Sequence, residues 1–106
     1  MPLVALVTGA SGGIGAPTCR ALVAKGFSVV MACRNLEKAE PLRLALEQQA
    51  RAAFPDAPPA VDLLAVDFAL PASVRAFSDL FLARYDRLDV LFANAGTFTY
   101  RRETTA

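Results

Sequence analysis

The chain contains no histidine. A histidine-ligated metal site and a Ser-His-Asp triad are thereby excluded. Cysteine is scarce, and Cys19 and Cys33, the two present, are expected to be small buried residues rather than ligands. No excess of charge of one sign exists either. Eleven Lys and Arg against ten Asp and Glu leave a net charge of +1, which offers no electrostatic reason to seek nucleic acid or an anionic membrane. No apolar run approaches the roughly 20 residues that a membrane span needs. The first strand is expected to begin so close to Met1 that no signal or transit segment fits before it, and a cytoplasmic location is the resulting expectation. At 106 residues and 55% hydrophobic, the chain can bury one modest core and form at most one domain. No internal repeat or low-complexity tract divides it.

What is present begins with three spaced glycines. In Val7-Thr8-Gly9-Ala10-Ser11-Gly12-Gly13-Ile14-Gly15, Gly9, Gly13 and Gly15 lie between an apolar run, Leu3 to Val7, and a helical pattern that starts at Ile14 and continues through Ala21 and Leu22. Glycine at a strand-to-helix turn lets a ligand approach a backbone that a Cβ would shield. The first helical N–H groups lack internal partners, and the helix dipole adds partial positive charge there, so a bound pyrophosphate gains up to about 2 kcal/mol.

The remainder reads as strand, helix, strand, helix, strand, helix, strand. The first helix is expected to run to about Lys25, with Gly26 as a left-handed stop and Pro17 tolerated near the end of its first turn. Phe27 to Ala32 is apolar enough for a central parallel strand buried on both faces. A long helix from about Leu36 to Phe54 sets Ala39, Leu42, Leu46, Ala50 and Ala53 on one face, with Glu37, Lys38, Arg43, Glu47 and Arg51 elsewhere. Pro55, Pro58 and Pro59 break it, and Val61 to Phe68 is expected as the third strand. Pro71 and Ser73 open a third helix with Val74, Phe77, Leu80 and Phe81 as its buried stripe, and Leu88 to Ala93 is the fourth strand. The fold class expected from this order is α/β: a Rossmann-like, doubly wound parallel sheet, incomplete, with about four strands and three helices. Ligands of such sheets bind beyond the carboxyl ends of the strands.

The run Thr8-Gly9-x-x-x-Gly13-x-Gly15 differs in spacing from Gly-x-Gly-x-x-Gly and resembles the Thr-Gly-x-x-x-Gly-x-Gly cofactor loop of the short-chain dehydrogenase/reductase family. Three further matches fall at strand ends: Arg34, Asp67-Phe68 and Ala93-Asn94-Ala95-Gly96. The resemblance implies that Gly9, Ser11, Gly13, Ile14 and Gly15 hold a pyrophosphate. It implies that Arg34 binds a 2′-phosphate, that Asp67, with the Phe68 backbone beside it, contacts adenine, and that Asn94 and Gly96 line the nicotinamide-side ribose. Cys33 offers no carboxylate to repel a 2′-phosphate, and an Arg–phosphate hydrogen bond contributes about 1.5–3 kcal/mol, so NADP is favoured over NAD. Two departures stand out. Gly12 replaces the basic residue that many relatives carry before the second glycine, and Ala93 replaces the first asparagine of Asn-Asn-Ala-Gly. Plainer readings coexist with these roles: a solvated arginine before a helix at Arg34, and a helix N-terminal aspartate at Asp67, which lies a few residues early for a cap. The stretch from Val30 to Glu40 looks most like the branch that holds retinol dehydrogenases and light-dependent protochlorophyllide reductases.

The family transfers hydride with a serine, a Tyr-x-x-x-Lys pair and an upstream asparagine. No Tyr-x-x-x-Lys occurs here: Tyr85 is followed at that spacing by Asp89 and Tyr100 by Thr104, so no catalytic residue is nominated. The resemblance covers residues 3 to 97, the first half of the family's fold. Residues 1–106 are accordingly expected to be the N-terminal part of a single NAD(P)-binding Rossmann domain, from an oxidoreductase that exchanges hydride between NADP(H) and an alcohol or carbonyl, and to be inactive alone. The unpaired edge of the fourth strand invites self-association, which would give a homo-oligomer; the oligomeric state itself is not legible in the sequence. A non-catalytic dinucleotide-binding or dimerising module is the alternative.

Overall fold

The alternation of apolar runs and amphipathic stretches resolves into β1 (Val4–Thr8), α1 (Gly15–Ala24), β2 (Ser28–Cys33), α2 (Leu36–Ala53), β3 (Val61–Ala65), α3 (Pro71–Arg84) and β4 (Val90–Ala93). They are seen in a computed structural model that describes residues 3–9 and 15–93. All strand pairs are parallel, in the order β3-β2-β1-β4. Val4 lies opposite Ser28 and Thr8 opposite Ala32, while on its other side β1 runs from Ala5 opposite Val90 to Thr8 opposite Ala93. The chain thus winds outward through β2 and β3, then returns to the far side of β1. That reversal is the switch point of a doubly wound sheet, as expected.

Every residue of β1 and β2 is buried, because helices cover both faces of these inner strands. Ala5, Val7, Val29 and Met31 point to the α1/α2 side, where they meet Cys19, Leu22, Val23, Leu46 and Ala50. Their neighbours in sequence, Val4, Leu6, Val30 and Ala32, point to the other side, against Phe77 and Phe81 of α3. Met31, Leu46 and Val23 are fully buried, each worth about 1.5–3 kcal/mol of burial. Cys19 is also wholly buried, and burial pushes its thiol up to about 12, which makes it a packing residue and not a nucleophile.

The helix ends follow local chemistry. Gly26, at φ +89°, closes α1 with its own N–H on the Val23 carbonyl (2.9 Å) and the Phe27 N–H on the Leu22 carbonyl (3.0 Å), a Schellman pair. Asn35 caps α2, its Oδ1 accepting from the Lys38 N–H at 3.0 Å. Pro41 sits inside α2 on an exposed position, where it has no N–H to give the Glu37 carbonyl. Pro71 is the first residue of α3, where a missing N–H costs nothing.

Several sequence expectations shift. β3 stops at Ala65 rather than Phe68, because the Val66 N–H makes the last bond to β2, on the Cys33 carbonyl (2.9 Å), and the chain then turns. The Asp67 Oδ1 accepts from the Ala69 N–H (3.0 Å) and the Asp67 carbonyl from the Leu70 N–H (3.0 Å), which closes that turn. β4 starts at Val90, not Leu88. Ala53, in the last turn of α2, is exposed. Leu80 is 42% exposed, so the buried line of α3 runs through Phe77 and Phe81 to the partly buried Tyr85.

Candidate functional site

Three strands end at one rim, each within two residues of one that the sequence singled out. After β1, Gly9 adopts φ +64°, a conformation that few side-chain-bearing residues take, and its N–H still donates to the Ala32 carbonyl at 3.2 Å. After β2, strand alternation keeps Cys33 buried and turns Arg34 outward, where it is exposed. After β3, Val66 stays buried and Asp67 and Phe68 form the turn. Between these three turns lies a cleft of about 550 Å³, lined by Gly9, Cys33, Arg34, Lys38, Asp67 and Phe68 among others. A smaller recess of about 190 Å³ adjoins it between Arg34, Asp67 and Ser73.

The polar groups around the cleft are held in place from behind. The Ser73 Oγ, from the first turn of α3, accepts from the Asp67 N–H at 2.8 Å, and the Asp67 Oδ1 is engaged by Ala69. Among the described residues Asp67 Oδ2 takes no hydrogen bond. Arg34 and Lys38 make no ion pair among the described residues, whereas Arg43, Arg51, Arg84 and Arg87 all do. The Cys33 thiol donates to the Asn35 carbonyl at 3.5 Å, and burial pushes its pKa up, so the end of β2 presents a neutral group to the cleft. One wall therefore carries two cations with no carboxylate at the strand end, and the other carries a carboxylate beside an exposed aromatic ring. An anion fits the first wall and a hydrogen-bond donor with an apolar face fits the second.

Gly9, Arg34, Asp67 and Phe68 thus come together at one cleft. Gly15 opens α1 and is buried, without lining the cleft. Ser11, Gly13, Ile14, Asn94 and Gly96 lie outside the described residues. Lys38 and Asn35 line the cleft and were not selected from the sequence as site residues. The signal was there, since Asn35 three residues before Lys38 is the spacing of a helix cap, and a cap fixes what the first turn presents.

A second groove, about 350 Å³, lies at the opposite end of the sheet between Leu6, Phe77, Phe81, Tyr85 and Leu88. It is apolar and faces away from the strand carboxyl ends. The Tyr85 hydroxyl there donates to Asp62 Oδ2 at 2.8 Å, and the same oxygen accepts from Arg84 at 3.1 Å. Burial first, and then the Asp62 carboxylate, raise the Tyr85 pKa, the reverse of what a catalytic tyrosine needs. Tyr100 lies outside the described residues. Among the described residues no helix is long and apolar enough to cross a membrane, and no group of three or more His, Cys, Asp or Glu could hold a metal ion.

Residues 3–106 match the short chain dehydrogenase family. The chain is 42% identical over 92 residues to human dehydrogenase/reductase SDR family member 13, covering 87% of this chain and 23% of that protein. It is 38% identical over 97 residues to mouse retinol dehydrogenase 14, covering 88% of this chain and 29% of that one. Among solved structures, L-sorbose reductase from Gluconobacter frateurii, complexed with NADPH and L-sorbose, superposes with a TM-score of 0.75 at 27% identity, over 99% of this chain and 37% of its own. The chain therefore spans between 23% and 29% of the length of these two curated relatives.

Proposed function

The chain belongs to the short-chain dehydrogenase/reductase family, and on that premise we propose that the cleft at its strand ends is the adenosine and 2′-phosphate half of an NADP(H) site. The observation that carries the reading is the convergence of Gly9, Arg34 and Asp67 on one cleft. The fit is chemical as well as spatial. A backbone at φ +64° admits close approach at Gly9, a neutral thiol at Cys33 repels no phosphate, and Arg34 with Lys38 supplies positive charge. The solved L-sorbose reductase holds NADPH, which supports a nicotinamide dinucleotide as the ligand class.

In this reading Arg34 binds the 2′-phosphate, with Lys38 as a second cation, and Asp67 Oδ2 accepts from the adenine amino group. Gly9, Ser11, Gly13, Ile14 and Gly15 hold the pyrophosphate, and Asn94 and Gly96 line the nicotinamide-side ribose. When bound, the dinucleotide supplies or receives a hydride. Arg34, Lys38 and Asp67 would anchor its adenosine end, and the remaining residues would position the rest of it along the rim. The whole protein's reaction is hydride exchange between NADP(H) and an alcohol or carbonyl compound. The 106 residues contain no Tyr-x-x-x-Lys, so proton transfer at the substrate requires groups that they do not supply. A dinucleotide-binding module without chemistry of its own is a second reading of the same cleft.

Calorimetric titration of the chain with NADPH tests the binding claim shared by both readings. Saturable binding is expected, and Gly9→Val should weaken it at least tenfold, because a β-branched residue cannot hold φ +64° without moving the turn. A chain that is folded by circular dichroism and binds no NADPH would overturn the proposal.

A further inference from the structure

Helix α3 is tied to the β3 segment by polar bonds at both of its ends. In its first turn the Ser73 Oγ accepts from the Asp67 N–H at 2.8 Å. Just past its last turn the Tyr85 hydroxyl donates to Asp62 Oδ2 at 2.8 Å, and the Arg84 guanidinium reaches the same oxygen at 3.1 Å. Asp62 belongs to β3, the strand that leads on to Asp67. A helical rise of 1.5 Å per residue sets the two ties about 18 Å apart. Between them only Phe77 and Phe81 are buried, and the rings of Phe77, Phe81 and Tyr85 succeed one another at centroid distances of 6.3 and 5.2 Å. Apolar contact of this kind holds a helix on a sheet but is not directional, whereas hydrogen bonds are. The polar ties therefore set the direction of α3. Neither Tyr85 nor Asp62 lines the strand-end cleft, and Tyr85 lies in the groove at the opposite end of the sheet.

We propose that Tyr85 and Asp62 form a remote clamp on the cofactor cleft: by fixing the far end of α3 they fix where its first turn holds Ser73, and through Ser73 they fix Asp67. This rests on the cofactor-site reading above and adds to it a positioning residue that never touches the ligand. The helix is the lever. Its backbone bonds are internal, so it turns as a unit about the Phe77 and Phe81 contact, and a shift at Tyr85 reappears at Ser73. The Asp67 bonds to Ala69 and Leu70 lie within the turn itself and move with it, whereas the bond to Ser73 joins the turn to the helix. Ser73 is thus the link through which the far end is felt.

The test is calorimetric titration with NADPH at a temperature where circular dichroism shows every variant folded. Tyr85→Phe keeps the ring and its packing and removes the hydroxyl; it should weaken NADPH by about two- to thirtyfold, the range of couplings carried between separated sites. Asp62→Ala removes the same bond from the strand side and should weaken it to a similar extent. Ser73→Ala weakens binding too, by cutting the link between helix and turn. In that background Tyr85→Phe should change affinity by less than about twofold, because the far end of α3 no longer governs Asp67. A tyrosine that merely supports the fold would give the same loss in both backgrounds. If wild type binds NADPH and Tyr85→Phe stays within twofold of it, if Ser73→Ala has no effect, or if Tyr85→Phe costs as much without the Ser73 hydroxyl as with it, the clamp is refuted while the cofactor site stands. If the wild-type chain binds no NADPH, the cofactor site falls and the clamp with it.

Discussion

Arg34→Ala should separate nucleotides that carry a 2′-phosphate from those that do not. An arginine–phosphate hydrogen bond is worth about 1.5–3 kcal/mol. Arg34 is exposed, so water and salt screen its charge and place the expectation at the lower end, about 1.5 kcal/mol or a tenfold loss. Lys38 lines the same cleft and retains part of the attraction, which also argues against a larger single effect. The double variant Arg34→Ala/Lys38→Met should then lose most of the remaining preference. The assay is calorimetric titration with adenosine 2′,5′-bisphosphate and with 5′-AMP, each at low and at physiological ionic strength. The bisphosphate should weaken about tenfold at low salt and by less at the higher, and AMP should be unaffected at both. The substitution breaks no ion pair among the described residues, so the fold survives it. Parallel loss for both ligands, or no loss for either, would refute the assignment of Arg34 to the 2′-phosphate.

Two further outcomes concern the scaffold. Gly26→Ala should destabilise by about 1–2 kcal/mol, because φ +89° strains an L-residue and the new Cβ meets the Phe54 ring at 3.4 Å; a Tm within a degree of wild type would contradict this. Asp89 is held below the usual carboxylate range by hydrogen bonds from the Arg87 guanidinium, with a further contribution from the Val4 N–H at 2.8 Å. A depressed folded value means that its stabilisation is present above the unfolded value near 3.9 and is lost as pH falls through the lower folded value. Urea midpoints measured from pH 7 down to pH 3 should therefore fall more steeply for wild type than for Asp89→Asn, and parallel curves would remove Asp89 from the account.

The order of elements was legible because burial on both faces forces a near-continuous apolar run, as in Val4–Thr8 and Ser28–Cys33, while a helix on a sheet needs only a stripe. Gly26 and Pro71 marked a helix end and a helix start because only one or two backbone geometries suit each of them. Legibility failed where hydrogen bonding rather than hydrophobicity decides. The side-chain acceptor of Asp67 and the Ser73 hydroxyl end β3 three residues before its apolar character does. The stripe of α3 was drawn through Leu80, but only one helix covers that face of the sheet among the described residues, and part of α3 remains in solvent. At the site, element order with the family resemblance singled out Gly9, Arg34, Asp67 and Phe68, which line one cleft. Lys38 was passed over because it was read only as part of the polar face of α2, although the helix start that places it beside the cleft was legible.

These local details bear on affinity as well as on shape. Each wall of the cleft is a turn whose backbone is already bonded to its neighbour: Gly9 to Ala32, Val66 to Cys33, Lys38 to Asn35 and Asp67 to Ser73. Two of these bonds extend the parallel ladders beyond their last strand residues, and two come from the first turns of α2 and α3. A ligand entering such a cleft orders long side chains such as Arg34 and Lys38 but not the chain that carries them. Ordering a side chain costs about 0.5–1.5 kcal/mol, whereas fixing backbone costs about 1–2 kcal/mol per residue. The tenfold contribution expected of Arg34 is therefore measurable because the scaffold beneath it is set before the nucleotide arrives. On the proposed assignment, loosening that scaffold by Ser73→Ala should weaken AMP without altering the preference for the 2′-phosphate, since the Ser73 hydroxyl bonds the Asp67 N–H and neither cation; a change in that preference would show that the two walls are not independent.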